Sequence, residues 1–222
     1  MSYYILQHST DTKVIGKIIW DQIELIDPSN ADELLDNNEV VEIRCRQNRK
    51  SILTDLVSCY KLGIDNNYVI SQRLSKVFKS YNIQPHLFSS CTIEKPDDSS
   101  VNYSVLHFDE TFFSLIIDFE KSVFRISDTC TFPLTGDEPI VFVKNYEEYT
   151  QKKDELFLNN LEIRLDKFAL KKEFEDKYDM FSFFPCDSKL LISERLKDEL
   201  LSHKELNGFE IMEVEDNPVF LI

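Results

Sequence analysis

Tyr68-Val69-Ile70-Ser71-Gln72-Arg73-Leu74 returns near the end of the chain as Leu190-Leu191-Ile192-Ser193-Glu194-Arg195-Leu196. Each copy opens with an apolar run of strand length, then passes through serine, glutamine or glutamate, arginine and leucine into a segment with helical periodicity. A serine at the end of a strand offers Oγ to the free backbone N–H groups of the turn that follows. Ser71 and Ser193 are therefore expected as N-caps, with helices beginning at Gln72 and Glu194. Leu74, Val77, Phe78 and Tyr81 form one apolar stripe in the first copy; Leu196 and Leu200, with Leu201 beside them, do so in the second. Arg73 and Arg195 sit in the first helical turn, where the helix dipole disfavours a cation, so each calls for a carboxylate partner.

Asn82 and the pair Asn207-Gly208 suit left-handed helix exits, and residues 83–93 and 209–214 carry strand patterns. Two strand-helix-strand units follow, with their serines about 120 positions apart, far beyond the period of a solenoid. The competing explanation is chance recurrence of a common capping pattern.

At 222 residues, 42% hydrophobic and 29% charged, with seven Pro and four Gly, the chain has the composition of a soluble globular protein with a real core. It forms either one domain over residues 1–222 or two packed halves, 1–100 and 101–222. Forty acidic residues against 25 basic ones leave a formal net charge of −15. That field argues against nucleic acid or anionic lipid as partner; it suits a basic protein, as well as plain solubility. The five cysteines, Cys45, Cys59, Cys91, Cys130 and Cys186, are scattered without metal-ligand or disulfide spacing, so reduced thiols in a cytoplasm are expected. Residues 1–13 lack the pattern of an export signal, and no run approaches membrane-spanning length.

Along the chain, residues 3–6 read as a first strand and 15–26 as a further extended region containing Trp20, the only tryptophan. Residues 27–30 read as a turn and 31–35 as a helical turn. Arg44, Arg46, Arg49 and Lys50 form a basic cluster with no phosphate-loop context, hence a solvated face. Residues 52–60 suit a strand or short helix. The alternating stretch 101–108 and the apolar run 112–119, joined by a hairpin at Asp109-Glu110-Thr111, are expected at the centre of the sheet. Asp118 interrupts that run, and a carboxylate there needs a cation; a repeat arginine is the candidate. Residues 133–139 form a Pro/Gly loop, 140–143 a strand, 146–155 an exposed helix, 161–165 a half-buried strand, 167–178 a helix and 180–185 a buried aromatic strand. The fold class expected is α+β, with a mixed, largely antiparallel sheet carrying two similar strand-helix-strand units.

No Gly-rich phosphate loop, G-x-S-x-G or H-E-x-x-H occurs, so no catalytic or metal residues are assigned. Cys91 with His107 is one nucleophile-base pair that folding could assemble. As nucleophiles, Ser71 and Ser193 are outweighed by their capping role.

The segment Ile192-Ser193-Glu194-Arg195-Leu196-Lys197 resembles a motif of bacterial polymorphic-toxin immunity proteins of the immunity-protein-eleven type. The earlier copy Ile70-Ser71-Gln72-Arg73-Leu74, the stretch Ile117-Asp118-Phe119-Glu120-Lys121-Ser122 and the approach Asp179-Met180-Phe181 agree with it in order and spacing, over residues 64–214. Gln72 stands where glutamate is usual, and the first sixty residues have no counterpart. The resemblance implies a cytoplasmic protein, without enzymatic activity or cofactor, that binds and blocks one cognate protein toxin. If that toxin is a basic nuclease, an acidic face would stand in for nucleic-acid phosphate. Charge and loop placement nominate Asp97, Asp98, Glu147 and Glu148 as partner-binding residues. Two other readings stand beside this one: an enzyme with its pocket between the repeat units, using Asp118 and a repeat arginine, and a general protein-interaction scaffold.

Overall fold

The computed structural model describes residues 3–17, 21–26, 42–59, 67–109, 111–128, 137–174, 176–182 and 190–214. Trp20, Cys130, Cys186 and the features expected at 27–30, 31–35 and 133–136 lie outside these residues. In chain order the described elements begin with β1 (Tyr3–His8), α1 (Thr12–Ile15), β2 (Ile23–Leu25), β3 (Ile43–Gln47), β4 (Leu56–Val57), β5 (Asn67–Ser71) and α2 (Gln72–Phe78). They continue with β6 (His86–Glu94), β7 (Ser100–Phe108), α3 (Phe112–Ile116), β8 (Val123–Asp128), β9 (Ile140–Val141), α4 (Tyr146–Phe157) and β10 (Leu161–Lys167). A 3-10 turn at Lys172–Phe174, β11 (Met180–Ser182), β12 (Leu190–Ser193), α5 (Glu194–Ser202) and β13 (Phe209–Glu213) complete them.

The fold is α+β, and among the described residues only β3 with β6 is a parallel pair of named strands. A six-stranded sheet has the order β2-β3-β6-β7-β5-β4, a four-stranded sheet the order β11-β12-β1-β13, and a three-stranded sheet the order β10-β8-β9. Both expected caps are formed: Leu74 N–H donates to Ser71 Oγ at 3.1 Å and Leu196 N–H to Ser193 Oγ at 3.2 Å. The helices start at Gln72 and Glu194, as the capping argument requires.

The two units share more than strand, cap and helix. In the first, β4 pairs with β5, β5 with β7, and β7 with the post-helix strand β6, all antiparallel. In the second, β11 pairs with β12, β12 with β1, and β1 with the post-helix strand β13, again all antiparallel. The order is the same, but the third strand of the second unit comes from the beginning of the chain, so one unit is a circular permutation of the other. Even the register corresponds: Ser71 lies opposite Tyr103 and Ser193 opposite Tyr3.

The helices α2 and α5 lie in a core between these two sheets. Leu74, Phe78, Leu196 and Leu200 meet Leu56, Tyr68, Ile70 and Leu106 of one sheet and Leu6, Met180, Leu190 and Ile192 of the other. Successive strand residues point to opposite faces, so each sheet buries a second side. Tyr3, Ile5, Phe181 and Leu191 face α3, α4 and the three-stranded sheet, while Val57, Val69, Tyr103 and Val105 pack with Ile43, Cys45, Cys91 and Ile93.

Three expected elements differ in the structure, and Asn82 is not among the residues with positive φ that a left-handed helix exit requires. Residues 112–119 are not a central strand but helix α3 followed by a turn. Both edges of β7 are occupied by β5 and β6, so a following strand would have nothing to pair with. The Asp109 carboxylate instead accepts from the Thr111 N–H at 2.9 Å and hydroxyl at 2.7 Å, turning the chain into a helix that buries Phe112, Phe113 and Ile116 and leaves Leu115 out. An unbroken apolar run does not by its period separate strand from helix. Among the described residues of 167–178 the only helical segment is the 3-10 turn, because the backbone is claimed elsewhere: Asp118 N–H donates to Ala169 C=O at 2.8 Å and Lys171 N–H to Ile116 C=O at 2.9 Å. Phe174 and Tyr178 then dock edge-on to Phe112, with ring centres 5.9 and 5.2 Å away. Residues 15–26 divide into the end of α1 and the short strand β2, rather than one extended region.

Candidate functional site

The repeat arginines find their carboxylates in two residues that reading the repeat had not singled out, Asp55 and Asp179. Both side chains are buried. Asp55 accepts from the Ser71 hydroxyl, from Arg73 Nε at 3.2 Å and Nη2 at 3.0 Å, and from the Asn207 N–H at 3.0 Å. Asp179 accepts from the Ser193 hydroxyl at 2.8 Å, from Arg195 Nε at 3.1 Å and Nη2, and from the Asn82 N–H at 3.0 Å. Each serine hydroxyl thus donates to the carboxylate while its oxygen caps the helix.

The two clasps are reciprocal. Asn207 follows the helix of the second unit and binds the aspartate of the first; Asn82 follows the helix of the first and binds the aspartate of the second. Backbone bonds double the link, with Asp55 N–H donating to Asn207 C=O at 3.0 Å and Asp179 N–H to Asn82 C=O at 2.6 Å. Burial alone would push the Asp179 carboxyl up. The Arg195 guanidinium, the Asn82 N–H and the Ser193 hydroxyl outweigh it and hold Asp179 below the usual carboxylate range. Arg195 also lies over the Tyr81 ring, 5.0 Å from its centre.

A signal for these aspartates was present in the chain. Asp55-Leu56-Val57-Ser58 and Asp179-Met180-Phe181-Ser182 share the pattern aspartate, two apolar residues, serine, and each precedes its serine-arginine motif by one short strand. Unequal intervening lengths, 16 residues from Asp55 to Ser71 and 14 from Asp179 to Ser193, hide the match.

Asp118 is therefore not the partner of a repeat arginine. It bonds Lys121, Nζ to Oδ2 at 2.7 Å, and that bond holds its carboxyl below the usual range. It lines an open cleft of about 310 Å3 that also involves Phe119, Glu120, Lys144, Tyr146 and Lys171. The enzyme reading placed Asp118 beside Arg73 or Arg195 between the repeat units; the structure holds those arginines at other carboxylates.

The four acidic residues fall on two different elements, a hairpin turn and a helix. Asp97 and Asp98 form the turn between β6 and β7, where Asp97 accepts from the Ser99 N–H at 3.1 Å and hydroxyl at 2.6 Å, and Asp98 has a positive φ of 62°. Those Ser99 bonds hold the Asp97 carboxyl down. Glu147 and Glu148 occupy the first turn of α4. Glu148 ties down the start of the helix: its N–H donates to the N-cap Asn145 Oδ1 and its carboxylate accepts from the Lys144 N–H, both at 2.9 Å. Glu147 is exposed. The basic cluster is a solvated face as expected, with Arg44 and Arg46 reaching Glu94 at 2.5 and 3.7 Å.

Cys91 and His107 are not brought together. The Cys91 sulfur faces that of Cys45 at 3.9 Å. His107 bonds Asn67 at 2.5 Å and Ser89 at 3.0 Å, and is four residues along β7 from Tyr103, the cross-strand partner of Cys91. That is a separation of roughly 13 Å along the strand. Burial lowers the pKa of His107 to about 4. Among the described residues no cluster of three or more His, Cys, Asp or Glu could hold a metal ion, and no helix is long and apolar enough to cross a membrane.

Comparison with protein-family models and with curated proteins returns no match for this chain.

Proposed function

We propose that this protein acts by occupancy, as a cytoplasmic immunity protein that binds a cognate bacterial toxin and blocks it stoichiometrically. The observation that carries the reading is the fate of its most conspicuous polar motif. Serine and arginine of both repeats, the residues with most chemical potential in the sequence, are engaged by buried carboxylates that tie the two units together. A motif used in this way makes a rigid scaffold, and a rigid scaffold limits the ordering cost of binding. The net charge of −15 adds a field suited to a basic protein partner, and the motif resemblance names the class of partner.

The test is co-production with the protein encoded by the neighbouring reading frame. The expected result is rescue of cell growth, and a one-to-one complex in calorimetry whose affinity falls as salt is raised. Growth arrest despite co-production, or no complex between the purified proteins, would overturn the proposal.

A further inference from the structure

We infer that the partner docks on the ledge formed by β9 and the start of α4, with Ile140 and Phe142 as its apolar anchor and a basic rim as the partner's complement. This rests on the proposed function and deepens it by naming the surface.

The ledge inverts ordinary strand patterning. Along residues 140–143 the side chains alternate: Val141 packs on the core and Val143 is buried, while Ile140 is 53% exposed and Phe142 83% exposed. A solvent-facing strand position normally carries a polar residue. β9 is an edge strand, paired only with β8 among the described residues. Lys152 Nζ donates to the Phe142 carbonyl at 3.1 Å, fixing the end of the ledge against α4, whose first residue, Tyr146, is also exposed. Three exposed apolar or aromatic side chains thus lie within seven positions. Tyr146 also lines the open cleft containing Asp118 and Glu120.

The flanks decide the kind of partner. Asp137 and Glu138 precede the ledge and Glu147 and Glu148 follow it, against Lys144 in the same stretch and Lys152, which pairs with Glu148 at 3.1 Å, so the rim keeps an acidic excess. An apolar centre with a charged rim is the anatomy of a specific protein interface, and aromatic residues carry most of the binding energy in such centres. A second copy of this chain would bring an equal acidic rim against this one, on a molecule of net charge −15; like charges disfavour that pairing. The complement is a different protein, apolar at its centre and basic around it.

The probe is the purified product of the neighbouring reading frame, titrated against the full chain and three variants. Phe142→Ala is expected to weaken binding at least ~10-fold, with an unchanged melting temperature because the ring is exposed. Glu147→Lys is expected to slow association and flatten its salt dependence. Glu24→Lys, at an exposed position of β2 in the six-stranded sheet, is expected to leave affinity within about twofold. Wild-type binding that survives both Phe142→Ala and Glu147→Lys would overturn this surface while leaving the proposed function standing. Absence of wild-type binding would overturn both. Sedimentation showing a wild-type dimer that Phe142→Ala dissociates would assign the ledge to self-association and equally overturn the inference.

Discussion

Asp179→Ala tests the reciprocal clasp. The substitution removes the acceptor for the Ser193 hydroxyl, the Asn82 N–H and both arms of Arg195. Arg195 is 65% exposed at its side chain, so water replaces much of what it loses and its share is small. Ser193 is buried and the Asn82 N–H points into the joint; each left without an acceptor costs about 1–2 kcal/mol. The expected loss is therefore about 3–4 kcal/mol, which for a chain of this size is a fall in melting temperature of roughly 8–14 °C. Arg195→Ala should cost less, because Asp179 retains its two neutral donors. Urea titration followed by far-ultraviolet circular dichroism measures both. Equal costs for Asp179→Ala and Arg195→Ala would refute the claim that the carboxylate is the hub, as would a cost below about 1 kcal/mol for Asp179→Ala.

Asp118→Asn breaks a pair whose lysine is exposed, so thermal melting should show a change within about 0.5 kcal/mol. Gly208→Ala should destabilise the chain by more than about 2 kcal/mol in the same assay: Gly208 has φ of 85°, and an added Cβ would meet the Thr54 side chain at 2.2 Å and the Leu56 carbonyl at 2.9 Å. Burial lowers the pKa of both His8 and His107 to about 4, from 6.5. Between pH 6.5 and about 4 the unfolded chain therefore binds protons that the folded chain does not, and stability falls as the pH falls. The loss is on the order of a few kcal/mol across that window, and urea midpoints at pH 7 and pH 4.5 should show it, with His107→Gln reducing the slope. Asp179, held below its usual range, adds a further loss only at lower pH, as its carboxylate is protonated in the folded state.

Much of the site was legible because its logic is local. Capping needs a serine beside a strand end, and the helix stripe needs only its own spacing, so Ser71, Leu74 and Phe78 were recognisable from neighbours in the chain. The need for a carboxylate at Arg73 and Arg195 was equally visible, but its supplier was not. Asp118 was nominated because it interrupts an apolar run, whereas the true partners precede their strands by stretches of unequal length. Run 112–119 failed for a related reason: whether it extends or coils depends on whether a free sheet edge awaits it, and β7 has none.

The order of residues on its own determined the two capped helices, the alternation of the main strands and the acidic balance, because each depends on contacts within a turn or two or on composition. Only the tertiary structure decided that the second unit takes its third strand from β1, and that Asn82 and Asn207 reach across to the opposite aspartates. Those pairings join residues more than ninety positions apart. Local propensity carries no term for such distances; the partners are selected by which sheet edges and buried charges remain unsatisfied once the nearer contacts have formed.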